Sequence, residues 1–126
     1  MTEPRIVRRD EPTEFYLSER CHVVEHWNSP DDAQASIARI RVAPGTTTQL
    51  HRLRGTAERY LIHTGRGRIE VEGLAPAEVG PGDTVFIPAG AAQRIANLGD
   101  DDLMFLAICT PRFVPECYEN LESPDA

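Results

Sequence analysis

Residues 45–65 read GTTTQLHRLRGTAERYLIHTG, and residues 82–97 read GDTVFIPAGAAQRIAN. In the first stretch Gly45 is followed by five residues and His51, then by one and Leu53, four and Glu58, and six and Gly65. In the second, Gly82 is followed by five residues and Pro88, then by one and Gly90, two and Gln93, and three and Asn97. His51 and Leu53 lie two apart, so on an extended strand their side chains share one face, as do those of Glu58 and Tyr60. Gly65 allows a tight turn after the Glu58 strand. Gly82 and Pro88-Ala89-Gly90 bracket a short strand over 83–87 and carry the chain round to Gln93.

Working outward, the pattern is one of short strands. Ala38, Ile40 and Val42 alternate with Arg39 and Arg41, and Ile69 and Val71 alternate with Arg68, Glu70 and Glu72. Each run predicts a strand with one apolar and one polar face. Leu103 to Cys109 is apolar at both parities, which predicts a strand buried on both sides. Turn formers separate these runs: Pro44-Gly45, Gly65-Arg66-Gly67, Gly80-Pro81-Gly82-Asp83 and Asn97-Leu98-Gly99-Asp100. Such punctuation predicts an all-β sandwich or barrel. A helical turn or two is expected near Pro115 to Leu121, with Pro115 at the first helical position. The first few residues and Glu122 to Ala126 are expected to be loose, and no internal repeat or low-complexity tract is present.

The chain has 126 residues, which predicts one domain, and its net charge is −7. An acidic balance argues against nucleic-acid binding, which needs an excess of basic side chains. No apolar run reaches 18 residues, so no membrane-spanning helix is expected. The N-terminal region lacks the apolar core of a signal peptide. Cys21, Cys109 and Cys117 form no CxxC pair. An odd set of thiols without an export signal points to a cytoplasmic location with reduced cysteines. Nucleophile-elbow, P-loop, dinucleotide-binding and HExxH motifs are absent.

With both spacings in the right order and 16 residues between them, the chain resembles the cupin superfamily over about residues 35–110. The resemblance implies a single cupin domain spanning 1–126. Its fold would be an antiparallel β-barrel of double-stranded β-helix or jelly-roll type, with a small-molecule ligand inside and a homodimer as its assembly. The strand Leu103 to Cys109 offers a physical hint of that dimer, since its second apolar face could pack on another subunit.

In the family, three histidines and one glutamate hold a divalent iron, manganese, nickel, zinc or copper ion. The matching positions here are His51, Leu53, Glu58 and Gln93. Leucine cannot ligate, and glutamine offers only a neutral amide oxygen. One reading is therefore a three-ligand metal site of His51, Glu58 and Gln93, serving a dioxygenase, isomerase or lyase. The other is a metal-free barrel in which those residues form a hydrogen-bonded polar cluster. It would act as a binding module for a sugar or carboxylate, or as a metal-free isomerase or epimerase. His51 or Glu58 is the expected base and Tyr60 the expected acid. Arg52 and Arg54 flank His51 and would favour a carboxylate or phosphate if they reached the pocket. Phe105, on the apolar strand, is the expected aromatic wall. His22, His26 and His63 are expected to play no part in the site, and Cys109 to act as a small apolar residue.

Overall fold

The computed structural model describes residues 3–10 and 13–122. The described chain runs through β1 (Phe15–Leu17), β2 (Cys21–Trp27), β3 (Ser36–Val42), β4 (His51–Leu53), β5 (Ala57–Thr64) and β6 (Gly67–Val71). It continues through β7 (Leu74–Val79), β8 (Thr84–Ile87), β9 (Gln93–Asn97), β10 (Leu103–Thr110), a 3-10 turn at Pro115–Cys117, and β11 (Tyr118–Asn120). Two antiparallel sheets result, one in the order β1-β2-β3-β10-β5-β8 and the other in the order β11-β4-β9-β6-β7. This is the expected all-β jelly-roll arrangement, with the two sheets facing each other rather than hydrogen-bonded into a closed ring.

Alternation along each strand decides which side chains enter the space between the sheets. From the first sheet come Val23, Tyr60, Ile62, Val85, Ile87, Leu103, Phe105 and Ala107, and from the second Ile69, Val71 and Ile95, all buried in one apolar cluster. Each fully buried Ile, Leu or Phe contributes about 1.5–3 kcal/mol relative to exposure. Gly67 belongs to the same interior. A Cβ there would lie 3.0 Å from both Ile95 Cδ1 and Leu103 Cδ2, so a side chain would require these two to give way.

β10 lies at the centre of the first sheet, paired with β3 on one side and β5 on the other. The strand is not buried on both faces, as its composition predicts. Leu103, Phe105, Ala107 and Cys109 are buried, whereas Met104, Leu106 and Ile108 are only half-buried on the outer face. Among the described residues no further sheet covers that outer face.

The expected C-terminal helix is reduced to the 3-10 turn, which has proline in its first turn as anticipated. Tyr118–Asn120 is a strand instead. The edge of β4 leaves backbone groups that must be paired, and Tyr118, Glu119 and Asn120 pair with Leu53, Arg52 and His51. Glu122, expected to be loose, is also fixed: its carboxylate accepts from Arg20 at 2.6 Å and from the Leu50 amide at 2.9 Å. The remainder of that tail, 123–126, lies outside the described residues. Among the described residues no helix is long and apolar enough to cross a membrane.

Candidate functional site

Two strands of the second sheet and two of the first converge on one polar cluster. His51 on β4 sits directly across from Gln93 on β9. Glu58 and Tyr60 face them from β5, and Cys109 is the cross-strand partner of Glu58 on β10. The Gln93 side chain is 0% exposed and bridges the sheets. Its amide Nε2 donates to Glu58 Oε1 at 2.8 Å, and the Tyr60 hydroxyl donates to its Oε1 at 2.6 Å. The Cys109 thiol approaches Glu58 Oε2 at 3.7 Å. His51 Nδ1 lies 2.7 Å from the Gln49 carbonyl oxygen. A carbonyl only accepts, so Nδ1 carries hydrogen, which in the neutral tautomer leaves the lone pair on Nε2. The ring stacks on Tyr118 with centroids 4.7 Å apart.

Burial dominates the electrostatics. Glu58 is 8% exposed, and the loss of hydration pushes its carboxyl up to about 7, with the amide of Gln93 pulling weakly the other way. Burial likewise raises the Tyr60 hydroxyl and the Cys109 and Cys21 thiols well above their ordinary values. The Glu58 carboxyl is thereby able to exchange a proton near neutral pH.

The cluster forms one wall of a cavity of about 390 Å³. Phe15, Tyr60, Phe105, Phe113 and Tyr118 supply aromatic walls, and among the described residues its acidic lining residues are Glu19, Glu25 and Glu58, with no arginine. Phe105 lies against Tyr60, ring centroids 4.3 Å apart. Of the residues singled out from sequence, His51, Glu58, Tyr60 and Phe105 line the cavity, and Gln93 is bonded to two of them. Arg52 and Arg54 do not line it. Between the inward His51 and Leu53, Arg52 necessarily points outward, and both guanidiniums pair with Glu119, at 2.8 and 3.4 Å. His63 is exposed, and His22 lies against Tyr16.

Sequence reasoning missed Glu19, Cys109 as a neighbour of the carboxyl, and Tyr118. Glu19 has the parity of Cys21 and Val23, a signal that was available. It is held by the turn in which Arg20 adopts φ 68° and by hydrogen bonds from Arg20 N to Leu17 O and Gln49 N to Glu19 O.

The cupin domain model matches residues 38–109, more than half of the chain. The chain belongs to the cupin family. An uncharacterised protein of Methanocaldococcus jannaschii is 33% identical over 97 residues, covering 77% of each chain. An oxalate-binding protein of Thermotoga maritima is 35% identical over 71 residues, 56% of this chain and 58% of that one. Among solved structures, a predicted oxalate decarboxylase from Thermotoga maritima superposes with a TM-score of 0.74 at 27% identity, covering 85% of this chain and 99% of that one.

Measured against the metal that cupins commonly hold, the donor set of this cupin does not fit. Leu53 offers no donor, Gln93 Oε1 already accepts from Tyr60, and Glu58 Oε1 already accepts from Gln93. Among the described residues no three His, Cys, Asp or Glu side chains come together so as to hold a metal ion. What the arrangement can do is bind a small molecule against aromatic walls and offer it one titrating carboxyl beside an imidazole lone pair.

Proposed function

We propose that this cupin binds a small organic molecule in the cavity between its sheets and works there through protons rather than through a divalent ion. The observation that carries this reading is the Tyr60–Gln93–Glu58 chain, whose hydrogen bonds of 2.6 and 2.8 Å commit Gln93 Oε1 and Glu58 Oε1 to the protein itself. A carboxyl that titrates near 7 is matched to acid–base work at neutral pH. In such a step Glu58 takes or gives the proton through Oε2. Gln93 holds Oε1 in place, Tyr60 fixes the amide of Gln93, and His51 Nε2 accepts a hydrogen bond from the bound molecule. Arg52 and Arg54, tied to Glu119, have no part in this scheme.

The similarity to an oxalate-binding protein does not extend to a built anion site. A dianion in this cavity would meet three glutamates and no arginine, and the chain contains no lysine at all.

We also propose that one domain spans the chain and that it forms a homodimer through the outer face of the first sheet. There Leu106 pairs with Leu61, and Ile108 pairs with Arg59, which pairs in turn with Phe86 and lies over its ring at 5.4 Å. Leu61 is 38% and Phe86 56% exposed, an apolar strip that a second copy would cover. The three cysteines are free thiols, which suits a reducing, cytoplasmic setting.

Metal analysis by mass spectrometry on untagged, chelator-free protein tests the central claim, alongside His51→Ala and Gln93→Ala. The expected result is metal far below one equivalent in all three. About one equivalent of a divalent ion in the wild type, lost in both variants, would overturn the reading and establish a His51–Glu58–Gln93 centre.

A further inference from the structure

The cavity's polar groups are unbalanced in a way that selects its ligand. Hydrogens on its wall are largely committed to the protein itself. Tyr60 donates to Gln93, Tyr118 donates to Gln49 Oε1 at 2.6 Å, and the Cys21 thiol points to Glu19 Oε1 at 3.2 Å. The Cys109 thiol faces Glu58, and Asn28 Nδ2 donates to the Phe113 carbonyl at 2.9 Å. Ser36 Oγ accepts from the Phe113 amide at 2.9 Å and Thr48 Oγ1 from the Ile95 amide at 3.0 Å, so their hydroxyl hydrogens and that of Ser18 are the donors left on the wall.

Acceptors, by contrast, remain available. His51 is 6% exposed, lines the cavity, and its Nε2 makes no hydrogen bond among the described residues. Glu58 Oε2 has only the long thiol contact, and Glu19 contributes a second carboxylate from the β1–β2 turn.

Among the described residues no arginine on the wall answers these acceptors. Arg20, beside Glu19, is turned away to the Thr47 carbonyl and Glu122, and Arg112 donates to Asn28 Oδ1. Five aromatic rings complete the lining. Carboxylates together with aromatic faces recognise an organic cation, and about 390 Å³ lies within the range of small-molecule sites.

We infer that the cavity takes an organic ammonium ion, an amine on an apolar body, with the ammonium group placed among Glu58, Glu19 and His51 Nε2 and the apolar body against Phe105, Phe15 and Phe113. This rests on the small-molecule reading above and specifies its ligand class. It also states what the site rejects, namely small dicarboxylates.

Titration calorimetry at pH 8 with 2-phenylethylamine, 2-phenylethanol, 3-phenylpropanoate and oxalate tests it, with Ala107→Phe as a variant that fills the cavity. The amine is expected to bind about tenfold or more tighter than the alcohol. The two carboxylates should give no heat, and Ala107→Phe should abolish amine binding. Glu19→Gln, a half-buried position that tolerates a neutral side chain, is expected to reduce the amine-over-alcohol preference several-fold, and Glu58→Gln to reduce it further. An alcohol that binds as tightly as the amine, or a carboxylate that binds tighter, overturns the ammonium inference and leaves the small-molecule reading standing. An amine preference that survives in both Glu19→Gln and Glu58→Gln overturns it as well. If no probe binds the wild type up to ~10 mM, both readings fall.

Discussion

Replacing Glu58 by glutamine should make the protein more stable at pH 8 and leave it nearly unchanged at pH 5. Burial raises this carboxyl from its ordinary 4.5 to about 7, so between those values the folded state holds a proton that the unfolded chain has released. Stability therefore falls as pH rises through that window and levels off above it. The gap of roughly two and a half decades in acid strength, at about 1.4 kcal/mol per decade, amounts to a loss of about 3 kcal/mol. Glutamine carries no charge and can still accept from Gln93 through its own Oε1, so most of that loss should vanish in the variant. The other strongly shifted carboxylates do not interfere. Arginine partners pull Glu14 down to about 2 and also lower Glu70, Glu119 and Glu122. Their contributions are present above the ordinary carboxylate range and are lost only as pH falls below it. Urea unfolding at pH 5, 6, 7 and 8 on both proteins gives the difference curve directly, and carbon-13 NMR of labelled glutamate gives the titration itself. A difference flat within about 0.5 kcal/mol across that range, or a Glu58 carboxyl that titrates below pH 5, would refute the reasoning.

Tyr60→Phe keeps the ring but removes the donor to Gln93 Oε1, leaving a fully buried acceptor unpaired. A loss of about 1–3 kcal/mol in urea unfolding is expected, and a loss under about 0.5 would show that the bond is not formed. Gly65 has φ 92°, and a Cβ there would meet Asp102 O and Leu103 Cα at 2.9 Å, whereas Gly45 at φ 72° faces open space. Gly45→Ala should cost about 1–2 kcal/mol from backbone conformation alone. Gly65→Ala should cost at least ~1 kcal/mol more, and equal melting temperatures would contradict the close approach. If the strip of Leu106, Leu61, Ile108 and Phe86 is the dimer surface, Phe86→Glu should convert the protein to monomer in light scattering without lowering its folded circular dichroism signal. A wild type that is monomeric at every concentration would rule the dimer out.

How much of this was legible in the sequence differs from residue to residue. Alternation and turn chemistry act locally, so β3, β6 and the two motif segments could be read directly, and parity correctly put His51, Glu58 and Tyr60 on inward faces. The outward course of Arg52 follows from the same parity, yet its nearness in sequence to His51 invited a site role. Tyr118 was hidden because a proline-led turn resembles a helix start. What makes 118–120 a strand is the unpaired edge of β4 some 65 residues earlier, Tyr118 pairing with Leu53. Glu19 was missed because a residue in the left-handed region at Arg20 interrupts the strand pattern. The half-burial of Met104, Leu106 and Ile108 depends on whether anything covers the sheet, which composition does not encode.

The two departures from the metal-binding pattern account together for the chemistry of the site. A histidine at position 53 and another at 93 would bring either a metal or two further titrating groups next to Glu58, and any cation there would hold the carboxyl ionised. With Leu53 and Gln93 in their place, no opposing charge offsets the cost of burying Glu58, and desolvation is the largest influence on it. Gln93 also does something a ligating histidine would not. Its amide presents a donor to Glu58 and an acceptor to Tyr60 at once, so one side chain ties both sheets and satisfies two buried groups. The substitutions that take away ligands thus leave a carboxyl able to hold or release a proton near neutral pH, kept in place by neutral partners and open on one oxygen to the cavity. A site built this way responds to the charge of what enters it. An ammonium ion would draw Glu58 toward its ionised form and be held by it, whereas an anion would be accepted only with Glu58 protonated, the Oε2 hydrogen then being the one donor the carboxyl could offer.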